Sequence, residues 1–245
     1  MKLRELAISH QAKSMEPKHI TVSSEAEEYL EAIYRLEKKT GSAKTMELAR
    51  QLKVVPGSIT NTIEGLERRG LVLHEPYKGV KLTEKGRKIA LDVLRRHRLA
   101  ERLLTDILHL DWSEAHDTAC KLEHAITPNI IKPLEKTLGH PKTCPHGSPI
   151  PTACGGIIEE ESVPLAKLST EQSGIIVKIV EEKVEVLQHL AALGLAPGVH
   201  VEVEKKTFFD GPVSIRVGEV SHTLDYGVAS IINVSRTDGK TRGQK

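Results

Sequence analysis

A stretch rich in Pro, Gly, Cys and His between Gly139 and Gly156 separates two halves of different hydrophobic period, and this split constrains the fold more than any other feature. Pro149-Ile150-Pro151 gives the stretch the stiffness of a semi-rigid linker. Ahead of it apolar residues recur mainly at helical spacing; behind it, short runs bounded by turn residues recur at strand spacing. With 245 residues, 39% of them hydrophobic, the chain can bury a sizeable core and is expected to hold two or three compact units.

The first twenty residues are polar and lack the apolar core of a secretory signal, and no apolar run reaches the roughly 18 to 20 residues of a membrane span. A cytoplasmic protein with no membrane contact is expected. Residues 1–22 read as an arm with no assigned function, and 237–245 as a tail. From Ser23, a Ser-Ser-Glu-Ala-Glu start followed by Tyr29, Leu30, Ile33, Tyr34 and Leu36 predicts a helix to about Lys39. A second helix is predicted over 45–52. Beyond the turn Val54-Val55-Pro56-Gly57, Ser58 is expected to cap a third helix with Ile59, Ile63 and Leu66 on one face. Two short strands, 71–74 and 80–82, follow around a Pro-Tyr-Lys-Gly turn. This pattern predicts a winged helix-turn-helix domain over 23–95.

Helical patterns over 87–110, 113–126 and 130–138 predict a helical packing or dimer unit over 96–140, and a linker is placed at 141–162. Strand patterns at 174–180, 199–204, 213–217, 222–224 and 230–234, with one helical pattern over 183–193, predict a small SH3-like β-barrel over 163–236. The fold class is α+β, mainly α.

The net charge of +2 does not mark the whole chain as a nucleic-acid binder, so a DNA-binding face must be local. A recognition helix needs small hydrogen-bonding side chains near its N-terminus, which Ser58, Thr60 and Asn61 supply. Asn61 can pair bidentately with an adenine edge and is the first choice for sequence discrimination. Lys44, Thr45, Lys53, Arg68, Tyr77 and Lys78 are candidates for backbone contacts. The plainer reading makes Ser58 only a cap and Asn61 a solvent-facing residue.

His116, Cys120, Glu123 and His124 stand at i, i+4, i+7 and i+8 and so share one helical stripe, while His97 and Glu101 share a face of the preceding helix. Two packed helices could bring these nitrogen, sulfur and oxygen donors into one or two metal sites. The competing reading is an ordinary His-Glu helical pair and a small buried cysteine. In the linker, His140, Cys144, His146 and Cys154 could bind zinc, but their spacing matches no standard zinc module and a turn-rich connector is preferred. Three cysteines are too few and too unevenly spaced for a disulfide framework. There is no His-Glu-x-x-His, Gly-rich phosphate loop or Gly-x-Ser-x-Gly elbow, so no enzyme is expected.

The run Arg96-His97-Arg98-Leu99-Ala100-Glu101-Arg102-Leu103-Leu104, with His116 and Cys120-Lys121-Leu122-Glu123-His124, resembles the diphtheria toxin repressor family of iron- and manganese-dependent regulators. The resemblance extends from about Ser23 to Val234 and includes the Pro-Ile-Pro linker and the C-terminal, FeoA-like module. It implies a homodimer that binds operator DNA, represses metal-uptake genes and has no small-molecule substrate. It also implies an activating site of Glu28, Cys120, Glu123 and His124, and an ancillary site of His97, Glu101 and His116 completed by Glu185 and Gln188. Glu28 departs from the family, whose iron-type members carry methionine there with cysteine at the position of Cys120. Manganese-type members pair an aspartate there with glutamate in place of that cysteine. The hybrid of carboxylate and thiolate puts Fe(II) first and Mn(II) second. A winged-helix regulator that senses thiol chemistry or a small molecule is the alternative, and a metal-dependent hydrolase a more distant one.

Overall fold

The computed structural model describes residues 22–75, 77–207 and 209–237, so the expectations for the N-terminal arm and the tail lie outside the described residues, Val22 and Thr237 apart. Helix α1 spans Ser24–Thr40; Ser23 accepts the Ala26 N–H at its start, and Gly41 closes its end at φ +83°. Helices α2 (Thr45–Leu52) and α3 (Pro56–Arg68) are joined through Lys53 in the left-handed region, with Ile59, Ile63 and Leu66 inward. Strands β1 (Val72–Glu75) and β2 (Gly79–Leu82) pair antiparallel as a wing. Ser58 does not cap α3. Val55 holds that position and Pro56 begins the helix, because its fixed φ and missing N–H suit the first turn.

Helix α4 (Glu84–Arg102) starts from a Thr83 cap and presses Gly86 against the Leu71 carbonyl, where an added Cβ would lie 2.0 Å from the oxygen. It stops short of the expected 110. A π-helical turn at Leu103–Ile107 follows, where the Thr105 hydroxyl bonds to the carbonyls of Glu101 and Arg102 and competes with the regular ladder. Helix α5 (Ala115–Leu122) tightens into a 3-10 turn at Glu123–Ala125, and α6 spans Pro128–Thr137.

Strands β3 (Val163–Pro164), β4 (Ser173–Ile179), β5 (His200–Lys206), β6 (Val213–Val217), β7 (Val220–Leu224) and β8 (Ile232–Arg236) form an antiparallel sheet in the order β3-β8-β4-β5-β6-β7. Bulges at Ile176/Lys178 and Val203/Lys205 bend its strands in the SH3-like manner. Helix α7 (Val184–Ala192) fills the expected helical gap. The strand expected at 230–234 is present as β8 but begins two residues later, at Ile232, because a short helix α8 (Tyr226–Ile231) runs into it, an ambiguity inherent in short apolar runs.

Three separate apolar cores underlie these units, centred on Leu30, Ile33 and Ile59, on Leu99, Ala119 and Leu134, and on Ile176, Leu187 and Val203. The connector packs onto all of them rather than spacing them. Ile150 joins the second core and Ile157 packs on the first, while Gly147 at φ +84° lies so close to Val177 that a Cβ would meet its carbonyl at 1.9 Å. Among the described residues no helix is long and apolar enough to cross a membrane.

Candidate metal centre and DNA-reading face

Helix α4 packs against α5, and the i, i+4 spacing of His97 and Glu101 turns both into that contact, each only 1% exposed. His97 Nε2 lies 3.1 Å from Glu101 Oε1 and 3.2 Å from His116 Nδ1, and His97 Nδ1 lies 2.6 Å from Glu123 Oε2. Cys120 Sγ sits at the solvent edge, 3.7 Å from His116 Nε2 and 4.0 Å from His97 Nδ1. The connector adds buried donors from the opposite side. His146 Nδ1 is 3.2 Å from Glu101 Oε1 and 3.8 Å from Cys144 Sγ, while its Nε2 donates to the Trp112 carbonyl at 2.9 Å. That last bond fixes the tautomer that presents Nδ1 to the cluster. Two donor trios result, His97-His116-Cys120 and Glu101-Cys144-His146, each with its ligand atoms within 4.8 Å of one another.

A second group forms around His124. Its Nδ1 is 2.7 Å from Glu27 Oε2, and its Nε2 faces Glu123 Oε1 at 3.4 Å and Glu28 Oε1 at 3.7 Å. Glu27 is held in turn by buried Arg96 at 2.6 Å, and Arg96 also donates to the Glu123 carbonyl. Glu123 therefore faces both groups, one oxygen to each.

Of the residues expected as the activating site, Glu28, Glu123 and His124 come together, whereas Cys120 points to His97 and His116. In the ancillary group His97, Glu101 and His116 meet, but Glu185 and Gln188 do not join them. Both are exposed, and Gln188 donates instead to Glu114 at 3.2 Å. Their start lies one turn too late: Glu182, ahead of α7, reaches His116 Nε2 at 3.7 Å. Cys144 and His146, whose spacing matches no standard zinc module and favours a plain connector, find their partner in Glu101, distant in sequence. Of the other two connector candidates, Cys154 is exposed and His140 stands in the left-handed region just after α6.

The donor chemistry fits a divalent transition ion. Glu101 Oε2 and His124 Nε2 are buried with no hydrogen-bond partner among the described residues, one in each group, and orphaned atoms of this kind are costly unless something binds them. Mixed imidazole, carboxylate and thiol donors suit Fe(II), Mn(II) or Zn(II).

Burial alone would lower the His116 pKa, but the Cys120 hydrogen bond, the Glu101 hydrogen bond and the Glu182 charge outweigh it and raise it to about 9. His97 and His146 are also raised against burial, chiefly by Glu101. Burial would raise the Cys120 thiol, but the two histidines lower it. Burial lifts Glu123 above the ordinary carboxylate range, and burial pushes the Cys144 thiol up. In the metal-free protein the His116 contribution to stability is fully present below its ordinary 6.5 and is lost as pH rises through about 9. Ligation requires neutral imidazole, so cation binding at pH 7 is expected to release about one proton or more. Calorimetry in two buffers of different ionisation enthalpy measures this, and a count of zero would show that the histidines are not ligands.

On the DNA side, Ser58, Thr60 and Asn61 are exposed on the first two turns of α3, and Lys53, Arg68 and the wing-tip Tyr77 are exposed around them. Thr45 is half-buried at the start of α2. Lys78 pairs with Glu75 at 2.9 Å. The Lys44 ammonium bonds to the carbonyls of Tyr77 and Lys78 and so ties the wing to α2.

A winged helix-turn-helix whose first helix shares a buried donor network with a helical unit defines a metal-responsive DNA-binding regulator. Models of the families described as "Iron dependent repressor, N-terminal DNA binding domain", "Iron dependent repressor, metal binding and dimerisation domain" and "FeoA domain" match residues 21–80, 83–152 and 163–236. The iron-dependent repressor IdeR of Mycobacterium tuberculosis is 32% identical over 227 residues, covering 86% of this chain and 96% of the relative. The diphtheria toxin repressor of Corynebacterium diphtheriae is 38% identical over 125 residues, 51% of this chain and 55% of that protein. A solved "Manganese-dependent transcriptional repressor complex with manganese" superimposes with a TM-score of 0.79 at 29% identity, covering 86% of this chain and all (100%) of that one. The chain belongs to the iron-dependent repressor family.

Proposed function

We propose that this protein is a metal-dependent transcriptional repressor that binds operator DNA as a homodimer when its donor clusters hold Fe(II), or secondarily Mn(II), and that it controls metal-uptake genes in the cytoplasm. The observation that carries the reading is the convergence of donors from the helical unit and the connector on one buried locus, with an orphaned carboxylate oxygen on Glu101 at its centre. The two IdeR and diphtheria toxin repressor relatives support the repressor role by name. Exposed Ile107, Leu108 and Ile130 on the helical unit support burial against a second copy.

Function follows by linkage. Glu27 and Glu28 ride on α1 of the DNA-reading unit, while His124 and Glu123 belong to the helical unit. A bound cation would supply the positive charge that lets Glu28, Glu123 and His124 stay close. Those side chains then fix α1, and with it α3, relative to the helical unit of each protomer. Ser58, Thr60 and Asn61 read bases only when two such helices are set at half-site spacing.

Gel-shift titration of the chain's own upstream region with Fe(II), Mn(II) and chelator tests the proposal, and binding indifferent to metal would reject it. In the same assay Asn61→Ala is expected to cost about 1–3 kcal/mol on the preferred site while leaving the salt slope unchanged. Equal losses on all sequences would remove Asn61 from base reading.

A further inference from the structure

Arg35, near the end of α1, donates through Nη1 to Glu182 Oε2 at 2.5 Å, and through Nε and Nη2 to Glu31 Oε1 at 2.9 and 2.8 Å. Glu182 lies 147 residues away in the segment between β4 and α7, so this single guanidinium joins the DNA-reading unit to the SH3-like unit. The same Glu182 Oε2 is the oxygen that faces His116 Nε2 at 3.7 Å. His116 in turn belongs to the donor trio with His97 and Cys120. A permanent cation thus already occupies the carboxylate at the edge of the candidate metal cluster.

We propose that Arg35 and a divalent cation at the His116 cluster compete for the same oxygen of Glu182, so that Arg35 sets the cation concentration at which the cluster fills. The proposal rests on the reading of that cluster as a metal site. Its physics is charge against charge. An arginine is never deprotonated in a protein, and it cannot leave Glu182 without losing a close ionic partner in a partly desolvated place. A second positive charge within a few ångströms is repelled strongly at the effective dielectric of such a site. Because Arg35 stands on α1, the competition also links cluster filling to the domain that reads DNA. Arg35 is a positioning residue here, acting through Glu182.

The test is equilibrium dialysis of the full chain against Mn(II), comparing the wild type with Arg35→Met and Arg35→Lys. Arg35→Met is expected to tighten Mn(II) binding about tenfold or more, and Arg35→Lys, which keeps the charge, to stay within about threefold of wild type. Trp112 is the chain's one tryptophan; it packs on the sheet core and meets the His146 ring at 5.6 Å, so its emission reports whether the units stay docked in each variant. Where Arg35→Met fails to fold, Arg35→Gln supplies the uncharged variant. In a Glu182→Gln background the Arg35 effect is expected to vanish, a coupling that a purely structural role would not produce. Unchanged or weaker Mn(II) binding by the uncharged variant overturns the competition. A wild type that binds no Mn(II) would instead overturn the metal reading of the cluster, and the proposal with it.

Discussion

Glu101→Gln is expected to weaken Mn(II) or Fe(II) binding by about 100-fold or more and to abolish the metal dependence of operator binding. Glu101 is 1% exposed, and its Oε1 is shared by His97, His116 and His146 while its Oε2 has no hydrogen-bond partner among the described residues. Burial would raise its pKa, yet the His97 charge and the three imidazole hydrogen bonds hold it well below the ordinary range, so it is the fixed anion of the cluster. Glutamine keeps the shape but replaces that anion by an amide, which offers one oxygen and places two donors where acceptors are needed. Dialysis reads the affinity and gel shift reads the response. Binding within threefold of wild type would exclude Glu101 as a ligand.

Glu27→Ala and Glu28→Ala are expected to separate stability from sensing, although the two residues are neighbours in sequence. Glu27 answers Arg96, whose side chain is 7% exposed, and removing one partner of such a pair costs about 2–4 kcal/mol. It also frees His124 Nδ1, so metal affinity is expected to fall about 10- to 100-fold along with the lower melting temperature. The Glu28 side chain is 56% exposed and reaches His124 Nε2 only at 3.7 Å, so Glu28→Ala is expected to change stability by less than about 0.5 kcal/mol while still weakening metal binding. Thermal melts of metal-free protein with parallel metal titration check this. Equal destabilisation by both variants would refute the division of labour.

Periodicity located α1, α2, α3, the wing and most of the strands, because each of those elements buries one regular face. The early end of α4 was hidden because the apolar spacing runs on through the π-helical turn at Leu103–Ile107. His97, Glu101, His116, Glu123 and His124 were legible as donors because they share helical faces. Which of them meet was not, since Cys120 could turn either way and Glu123 serves both groups. Cys144, His146 and Glu182 lie beyond the reach of local spacing: Gly147 docks the connector on β4 and so brings the first two in, and the loop before α7 brings the third. The Cys-x-His pair at Cys144 and His146, followed directly by Gly147, was the hint the sequence offered.

The Lys44 ammonium on the wing carbonyls, together with the Ala43–Val80 bridge and the Ser42 hydroxyl on the Lys78 carbonyl, clasps hairpin and helix pair into one rigid grip. A duplex meeting such a surface finds both prongs already shaped. Little ordering entropy is left to spend at contact, and the energy of each phosphate bond is conserved for holding on.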